Sequence, residues 1–102
     1  MKSLDKSRKE IKVGDFIIYG HALGRCAGLR YGKVLAIKEV KDYADRIKNH
    51  FTVQGVDDDW YPDTPKLAER KGTLQFGDRI LIVTEDQIPD KIFELLNGVE
   101  VD

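Results

Sequence analysis

The stretch from residue 19 to residue 33 gathers the side chains of this sequence that are best suited to bind an anion. It contains glycines at positions 20, 24, 28 and 32, several cations and no carboxylate. A phosphate site needs fixed positive charge and a backbone whose N–H groups approach the oxygens closely. Aromatic rings could in addition stack on a base. The predicted ligand-binding residues are Tyr19, His21, Arg25, Arg30, Tyr31 and Lys33.

The same stretch also has a purely structural interpretation. It lies between two runs that read as strands, so it is predicted to be a loop, and its arginines could simply keep that loop soluble. The stretch lacks both the Gly-Lys-Ser/Thr ending and the Gly-x-Gly spacing of the common nucleotide-binding motifs. On the residues alone, a phosphate site and a solvated hairpin loop both stay open.

Other side chains that could do chemistry do not assemble into a recognisable set. Trp60 and Tyr61 follow an acidic turn, where they could bind a cationic or proline-rich partner or close one end of the core. Consecutive aspartates at positions 57–59 point to opposite sides of an extended chain, so they do not converge on a cation. We therefore predict no catalytic residues, no metal and no cofactor, and expect a binding protein rather than an enzyme.

Length and composition restrict the number of domains and the compartment that we predict. The chain has 102 residues, one cysteine and a net charge of −1, which suits a single domain in a reducing compartment. No apolar run reaches the roughly 20 residues of a membrane helix, and the first residues do not resemble a secretory signal. A cytoplasmic protein is therefore expected. Cations are in excess before position 57 and carboxylates after it.

Hydrophobic patterning indicates a mainly β protein. Residues 1–10 lack periodicity and are predicted to form a flexible basic arm, followed by a single domain over residues 11–102. A tail with Ile88, Ile92, Leu95 and Leu96 at helical spacing predicts a short C-terminal α-helix near residues 89–97. Residues 66–71 read as either strand or short helix. Five predicted strands and one late helix imply a small barrel or barrel-like sheet. The predicted strands cover residues 16–19, 33–40, 50–56, 73–76 and 79–84.

Two short segments resemble a known family. Residues 13–19 (VGDFIIY) and 32–37 (GKVLAI) resemble a KOW-type SH3-like barrel, which opens with a Gly-Asp-apolar strand and resumes with Gly-x-Val after a glycine-containing turn. The resemblance implies a five-stranded SH3-like fold that binds nucleic acid or the transcription machinery. The connection between the two segments is longer here than the usual KOW turn, and the chain is less basic than ribosomal KOW domains.

A second resemblance covers the last third of the chain. Residues 72–81 (GTLQFGDRIL), followed by Ile88, Pro89 and the predicted helix, are similar to small accessory proteins of tailed phages. The similarity implies a host-interference role. Combined with the cations, glycines and aromatic residues of the segment 20–33, it leads us to expect a binding protein that sequesters a phosphate-bearing nucleotide through that segment. Two alternatives stay open, namely a KOW-like module for nucleic acid or the transcription machinery, and a protein-interaction module that blocks a basic host surface. Edge strands on so small a sheet also make a homodimer plausible.

Overall fold

The computed structural model describes residues 4–23, 26–41, 43–57, 64–74 and 80–101, and for residues 21–23, 26 and 27 the description covers the backbone only. The mainly β class and the C-terminal helix are confirmed. The elements are β1 (Phe16–Leu23), β2 (Cys26–Lys41), β3 (Ile47–Asp57), β4 (Lys66–Leu67), β5 (Gly72–Leu74), β6 (Ile80–Ile82) and α1 (Asp90–Asn97). A short 3-10 helix at Glu85–Gln87 lies between β6 and α1.

The strands form one antiparallel sheet in the order β4-β3-β2-β1-β6, with β5 pairing beside β4 on the same edge of β3. The sheet has six strands rather than the predicted five, because the ambiguous segment 66–71 contributes the short strand β4. Within the described ranges the outer strands β4 and β6 do not pair with each other, so the sheet is not closed into a barrel. Residues 4–10 lie beside β6, where the Lys6 N–H donates to the Ile80 carbonyl.

Strand β2 is long enough to pair with two different neighbours along its length. Its first half pairs with β1, from Cys26 opposite Leu23 to Lys33 opposite Phe16. Its second half pairs with β3, from Gly32 opposite Gly55 onward, with a register shift at Leu35. All three strands therefore lie side by side only around Gly32, a region called the central overlap here. Beyond it, residues 38–50 of β2, β3 and their turn are called the β2–β3 ribbon, and among the described residues its two strands pair only with each other.

Both faces of the central overlap are apolar, because successive side chains of a strand point to opposite sides. One face, called the first face, carries a cluster that includes Ile17, Tyr19, Val34, Phe51 and Val53. The opposite face, called the helix face, is covered by α1 and carries a second cluster. The members of that second cluster are Val56, Val83, Ile88, Ile92 and Leu96, with Phe16, Ile18, Tyr31, Leu67, Phe93 and Leu95 packed against them.

Helix α1 matches the helix predicted near residues 89–97. Ile92 and Leu96 are buried one turn apart, and the Pro89 carbonyl accepts hydrogen bonds from the N–H groups of Ile92 and Phe93. The rings of Phe16 and Phe93 lie 5.5 Å apart at 60°, which fixes the helix against β1. In the described part of the chain, no helix has the length and apolar character needed to cross a membrane.

Residues 4–10 differ from the predicted flexible arm, because they form a hook that is anchored by a buried carboxylate. Asp5 is 4% exposed. Its Oδ1 accepts hydrogen bonds from the N–H groups of Ser7 (2.9 Å) and Lys9 (2.8 Å), and its Oδ2 accepts one from the N–H of Ile82 (2.9 Å). The aspartate therefore links residues 5–9 to β6, which explains why this part of the basic segment has a fixed place.

These hydrogen bonds also set the protonation behaviour of the carboxylate. Desolvation alone would raise the pKa of Asp5, but the hydrogen bonds from Ile82, Lys9 and Ser7 together outweigh it and lower the pKa below its usual value. Each of these donors favours the charged carboxylate. The hook is therefore held by an ionised aspartate at neutral pH.

Candidate functional site

The glycine-rich stretch does not form the predicted loop. It is part of two paired strands, in which Gly20 lies opposite Leu29, His21 opposite Gly28 and Ile17 opposite Gly32. Glycine weakens a strand but does not prevent pairing, and the long register with β1 supplies the hydrogen bonds that hold it. Gly24 and Arg25 lie outside the described residues. The predicted site residues are therefore distributed over two faces of a sheet instead of around one loop.

Tyr19 and Arg30 are the two predicted site residues that the structure brings together. They lie directly opposite each other on β1 and β2, on the first face. Tyr19 is only 6% exposed, because its ring crosses two glycines that pair with each other, Gly32 and Gly55. A Cβ atom at position 32 would lie 2.8 Å from Tyr19 Cε1, and one at position 55 would overlap the Tyr19 hydroxyl oxygen. Both glycines are thus required by the tyrosine that packs over them.

Arg30 extends along the same face to a carboxylate on β3. Its Nη2 lies 3.7 Å from Asp57 Oδ1, with the arginine side chain mostly buried and the aspartate side chain one third exposed. A partly exposed ion pair at this distance contributes little to stability. It does, however, place a negative charge beside the cation that was predicted to bind an anion.

Tyr31 and Lys33 lie on the helix face, on the opposite side of the sheet from Tyr19 and Arg30. Tyr31 packs against the cluster beneath α1. The Lys33 ammonium donates to the Val99 carbonyl at 2.6 Å and lies 5.7 Å from the centre of the Phe16 ring. These two residues therefore hold the C-terminal segment on the sheet, and the sheet separates them from the Tyr19–Arg30 pair.

Several predicted site residues fall outside what the structure describes. Arg25, Trp60 and Tyr61 are outside the described residues, as is the side chain of His21. Of the aspartates considered as cation ligands, only Asp57 is described. Among the described residues, no group of three or more His, Cys, Asp or Glu side chains could hold a metal ion.

The β2–β3 ribbon is a second region of interest, and the sequence reasoning missed it. Val40 is 38% exposed, Ile47 is 46% exposed, and Tyr43 in the connecting turn is fully exposed at 104%. Surface apolar residues are common singly, but three of them within one short turn and its flanking strands are a feature of interaction sites. The available signal was the presence of three large apolar residues in a segment otherwise dominated by charges.

The two faces of the ribbon differ in chemistry. Lys38 pairs with His50 and Val40 pairs with Lys48, so these four side chains share one face. The other face carries Glu39 opposite Asn49 and Lys41 opposite Ile47. The first of these faces, called the lysine face here, contains no carboxylate among its four residues, whereas the other mixes charges.

Comparisons with protein-family models, with curated proteins and with solved structures find no match to this chain. A functional interpretation therefore rests on the chemistry of the described residues.

Proposed function

We propose that this protein is a non-enzymatic binding module that contacts another protein through the tip of its β2–β3 ribbon. The observation that carries the proposal is the exposure of Val40, Tyr43 and Ile47 within one short turn and its flanking strands. Tyrosine is enriched in protein interfaces because it combines a large apolar ring with a polar end.

The central overlap and the ribbon tip differ in what their apolar side chains contribute to folding. In the central overlap, apolar side chains of both faces are buried. Those on one face belong to the first-face cluster, and those on the other pack beneath α1. At the ribbon tip, the exposed apolar side chains contribute nothing comparable to folding, since burial is what makes such side chains stabilising. A partner that covers Tyr43 would gain that contribution on binding, and buried aromatic anchors of this kind dominate interface energetics.

Site-specific photocrosslinking in the native cell tests the proposal. With p-benzoylphenylalanine in place of exposed Ala44, beside Tyr43, we expect an adduct to one defined protein that peptide mass spectrometry identifies. The matched control carries the same probe in place of Val13, which is 46% exposed but lies away from the ribbon. Tyr43→Ser in the Ala44 probe background should reduce the adduct about tenfold or more, as expected for an interface anchor. Equal adducts at both positions, or no effect of Tyr43→Ser, would contradict the proposal.

A phosphate-bearing ligand at residues 20–33 is the second candidate function. It is favoured by the absence of carboxylates from that stretch and by the placement of Arg30 beside Tyr19. Calorimetric titration with a set of ribonucleotides tests it. Binding that disappears in the Arg25→Ala, Arg30→Ala double variant supports this candidate, and unchanged binding discards it. A host-interference role rests on the resemblance to phage accessory proteins and stays a prediction.

The KOW-like alternative also stays a prediction, as does the SH3-like character of the sheet. It is supported by the Gly-Asp-apolar start of β1 and by the cations of the ribbon. A salt titration separates it from the other candidates, because duplex binding should weaken steeply with salt whereas a nucleotide pocket should respond weakly. A protein-binding module should show no affinity for either probe. Sedimentation velocity would test the predicted homodimer.

A further inference from the structure

We propose that Asn97 is a site of spontaneous deamidation, and that this modification releases residues 98–101 from the helix face of the sheet. The inference goes beyond the proposed function, because it uses no residue of the β2–β3 ribbon. Asn97 is the last residue of α1, and both Asn97 and the following Gly98 are exposed. The co-reactant that the change requires is water.

The first support is the occurrence of an asparagine before a glycine at an exposed helix end. Asparagine is among the thermolabile residues of proteins. When the next residue has no Cβ atom, its main-chain nitrogen can approach the side-chain amide more closely. The last turn of a helix also opens at a lower free energy than its interior. The opened chain can therefore bring the Gly98 nitrogen to the Cγ of Asn97.

The second support is the conformation of Gly98, which gives no structural reason for a glycine. Its φ of −79° and ψ of −7° lie in the right-handed helical region, which every L residue can adopt. A Cβ atom added there would lie 3.8 Å from the nearest atom, the Leu95 carbonyl oxygen, which is an ordinary contact. Gly98→Ala is therefore compatible with the fold, so the effect of this glycine on Asn97 can be measured without strain.

The chemistry balances with water alone. The deprotonated Gly98 nitrogen attacks the Cγ of Asn97, a new C–N bond forms, and the bond to the side-chain nitrogen breaks. Ammonia leaves with the proton from Gly98, and a five-membered succinimide remains. Water then opens this ring at one of its two carbonyls. Opening at Cγ gives aspartate, whereas opening at the former main-chain carbonyl of Asn97 gives isoaspartate, in which the main chain runs through the Cβ atom.

The expected consequence lies two residues further on, at Val99. Its N–H donates to the Leu96 carbonyl at 3.1 Å, and its carbonyl accepts from the Lys33 ammonium at 2.6 Å. An isoaspartate at position 97 inserts one carbon atom between these anchors, so the two hydrogen bonds can no longer form together. The new carboxylate is also unfavourable at the negative end of the helix dipole. Because Leu96 is fully buried, α1 itself should stay in place.

Ageing of the purified protein in mildly alkaline buffer tests the modification, and the chain supplies its own control. It contains two asparagines, Asn49 and Asn97. Asn49 lies within β3, opposite Glu39, and precedes a histidine. Peptide mass spectrometry should show deamidation about tenfold or more faster at Asn97 than at Asn49, because a paired strand holds the second asparagine. Gly98→Ala should slow the reaction at Asn97 about tenfold, because its methyl group hinders the attacking nitrogen.

Amide hydrogen exchange of the separated isoaspartate form tests the release. The Val99 N–H should exchange about tenfold or more faster than in the unmodified protein, while Ile92 and Leu96 keep their protection.

Each outcome decides one part of the inference. Selective deamidation of Asn97 together with faster exchange at Val99 supports it. Deamidation of Asn97 no faster than that of Asn49, or unaffected by Gly98→Ala, overturns the assignment of the site. An isoaspartate form in which Val99 remains protected overturns the release.

Discussion

Two tyrosines on the same sheet show how differently its two regions are built. Tyr19, in the central overlap, is 6% exposed and lies across two glycines, whereas Tyr43, at the tip of the β2–β3 ribbon, is fully exposed. The difference comes from the number of neighbouring strands. Three strands and a covering cluster surround Tyr19, whereas the ribbon consists of two strands in the part of the chain that the structure describes. The overlap therefore holds the fold together, and the ribbon is available for contact.

The largest loss of stability is expected when a side chain is added in the space that the Tyr19 ring occupies. Gly55→Ala should destabilise the protein by about 2–3 kcal/mol, because the new methyl group would overlap the tyrosine hydroxyl and force the ring out of its packing. The matched control is Gly20→Ala on β1, where an added Cβ meets nothing within 4 Å. Urea denaturation should show this control to be neutral or slightly stabilising, since alanine lowers the entropy of the unfolded chain.

A double-mutant cycle identifies the cause of that loss. Tyr19→Phe removes the hydroxyl that the new methyl group would meet, so Gly55→Ala should cost clearly less in the Tyr19→Phe protein than in the wild type. Equal costs in the two backgrounds would mean that the tyrosine does not set the requirement for glycine. The contrast between Tyr19 and Tyr43 would then need another explanation.

The next largest loss of stability is expected at Asp5, and it tests whether this residue anchors the N-terminal hook to the sheet. Asp5→Asn should cost about 1–3 kcal/mol, because an amide cannot accept all the hydrogen bonds that reach the two carboxylate oxygens. Asp15→Asn is the control, since that side chain accepts a single exposed bond from the Lys12 N–H. Urea denaturation of both variants at neutral pH measures the difference, and equal losses would refute the anchoring role.

The same carboxylate gives stability a defined pH dependence. Because the pKa of Asp5 is lower in the folded than in the unfolded protein, its contribution is complete above the unfolded value of about 3.9 and is lost as the pH falls through the folded pKa. The unfolded chain binds the proton first, so acid favours unfolding. The free energy of unfolding, measured against pH, should fall less steeply below pH ~4 in Asp5→Asn than in wild type.

A smaller effect is expected where the C-terminal segment meets the helix face. Lys33→Met removes the hydrogen bond to the Val99 carbonyl and the cation above the Phe16 ring, at a cost of about 1 kcal/mol. Amide hydrogen exchange should accelerate at residues 99–101, while α1 keeps most of its protection. Lys66→Met, at an exposed position on β4, is the control and should change neither quantity.

The smallest effect on stability is expected at the ribbon tip. It tests directly the contrast between buried Tyr19 and exposed Tyr43. Tyr43→Ser should change the free energy of unfolding by less than about 0.5 kcal/mol, because an exposed side chain in a turn loses no packing. Thermal unfolding measures this directly. A loss comparable to that of Gly55→Ala would show that Tyr43 is part of the core and would withdraw the support for a contact surface.

The sequence predicted the positions of the strands and the helix better than it predicted which strands pair with each other. Every predicted strand run overlaps a strand of the sheet, because the alternation of apolar residues is local and strong. The glycines of residues 20–32 were interpreted as a loop, since isolated glycines are a turn signal. The segment instead contains the end of β1 and the start of β2, which pair with each other, as Gly20 does with Leu29 and His21 with Gly28, so strand pairing overrode the turn signal.

The candidate site shows the same limit. Six residues were grouped because they are close in sequence, but alternation along a strand sends neighbours to opposite faces, as with Arg30 and Tyr31. Only Tyr19 and Arg30 among the described members meet, and they do so through strand pairing. The ribbon tip was overlooked for the converse reason, because exposure of Val40 or Ile47 depends on how many strands cover them.

By itself, the sequence determined a small mainly β chain with a closing amphipathic helix, since hydrophobic periodicity is written in neighbouring residues. Tertiary structure alone decided that the sheet stays open in the described residues, that Asp5 fixes its neighbours in the chain to β6, and that one tyrosine is buried while another is exposed. The physical reason is that burial, pairing and the desolvation of a charge are properties of groups brought together from distant positions in the chain.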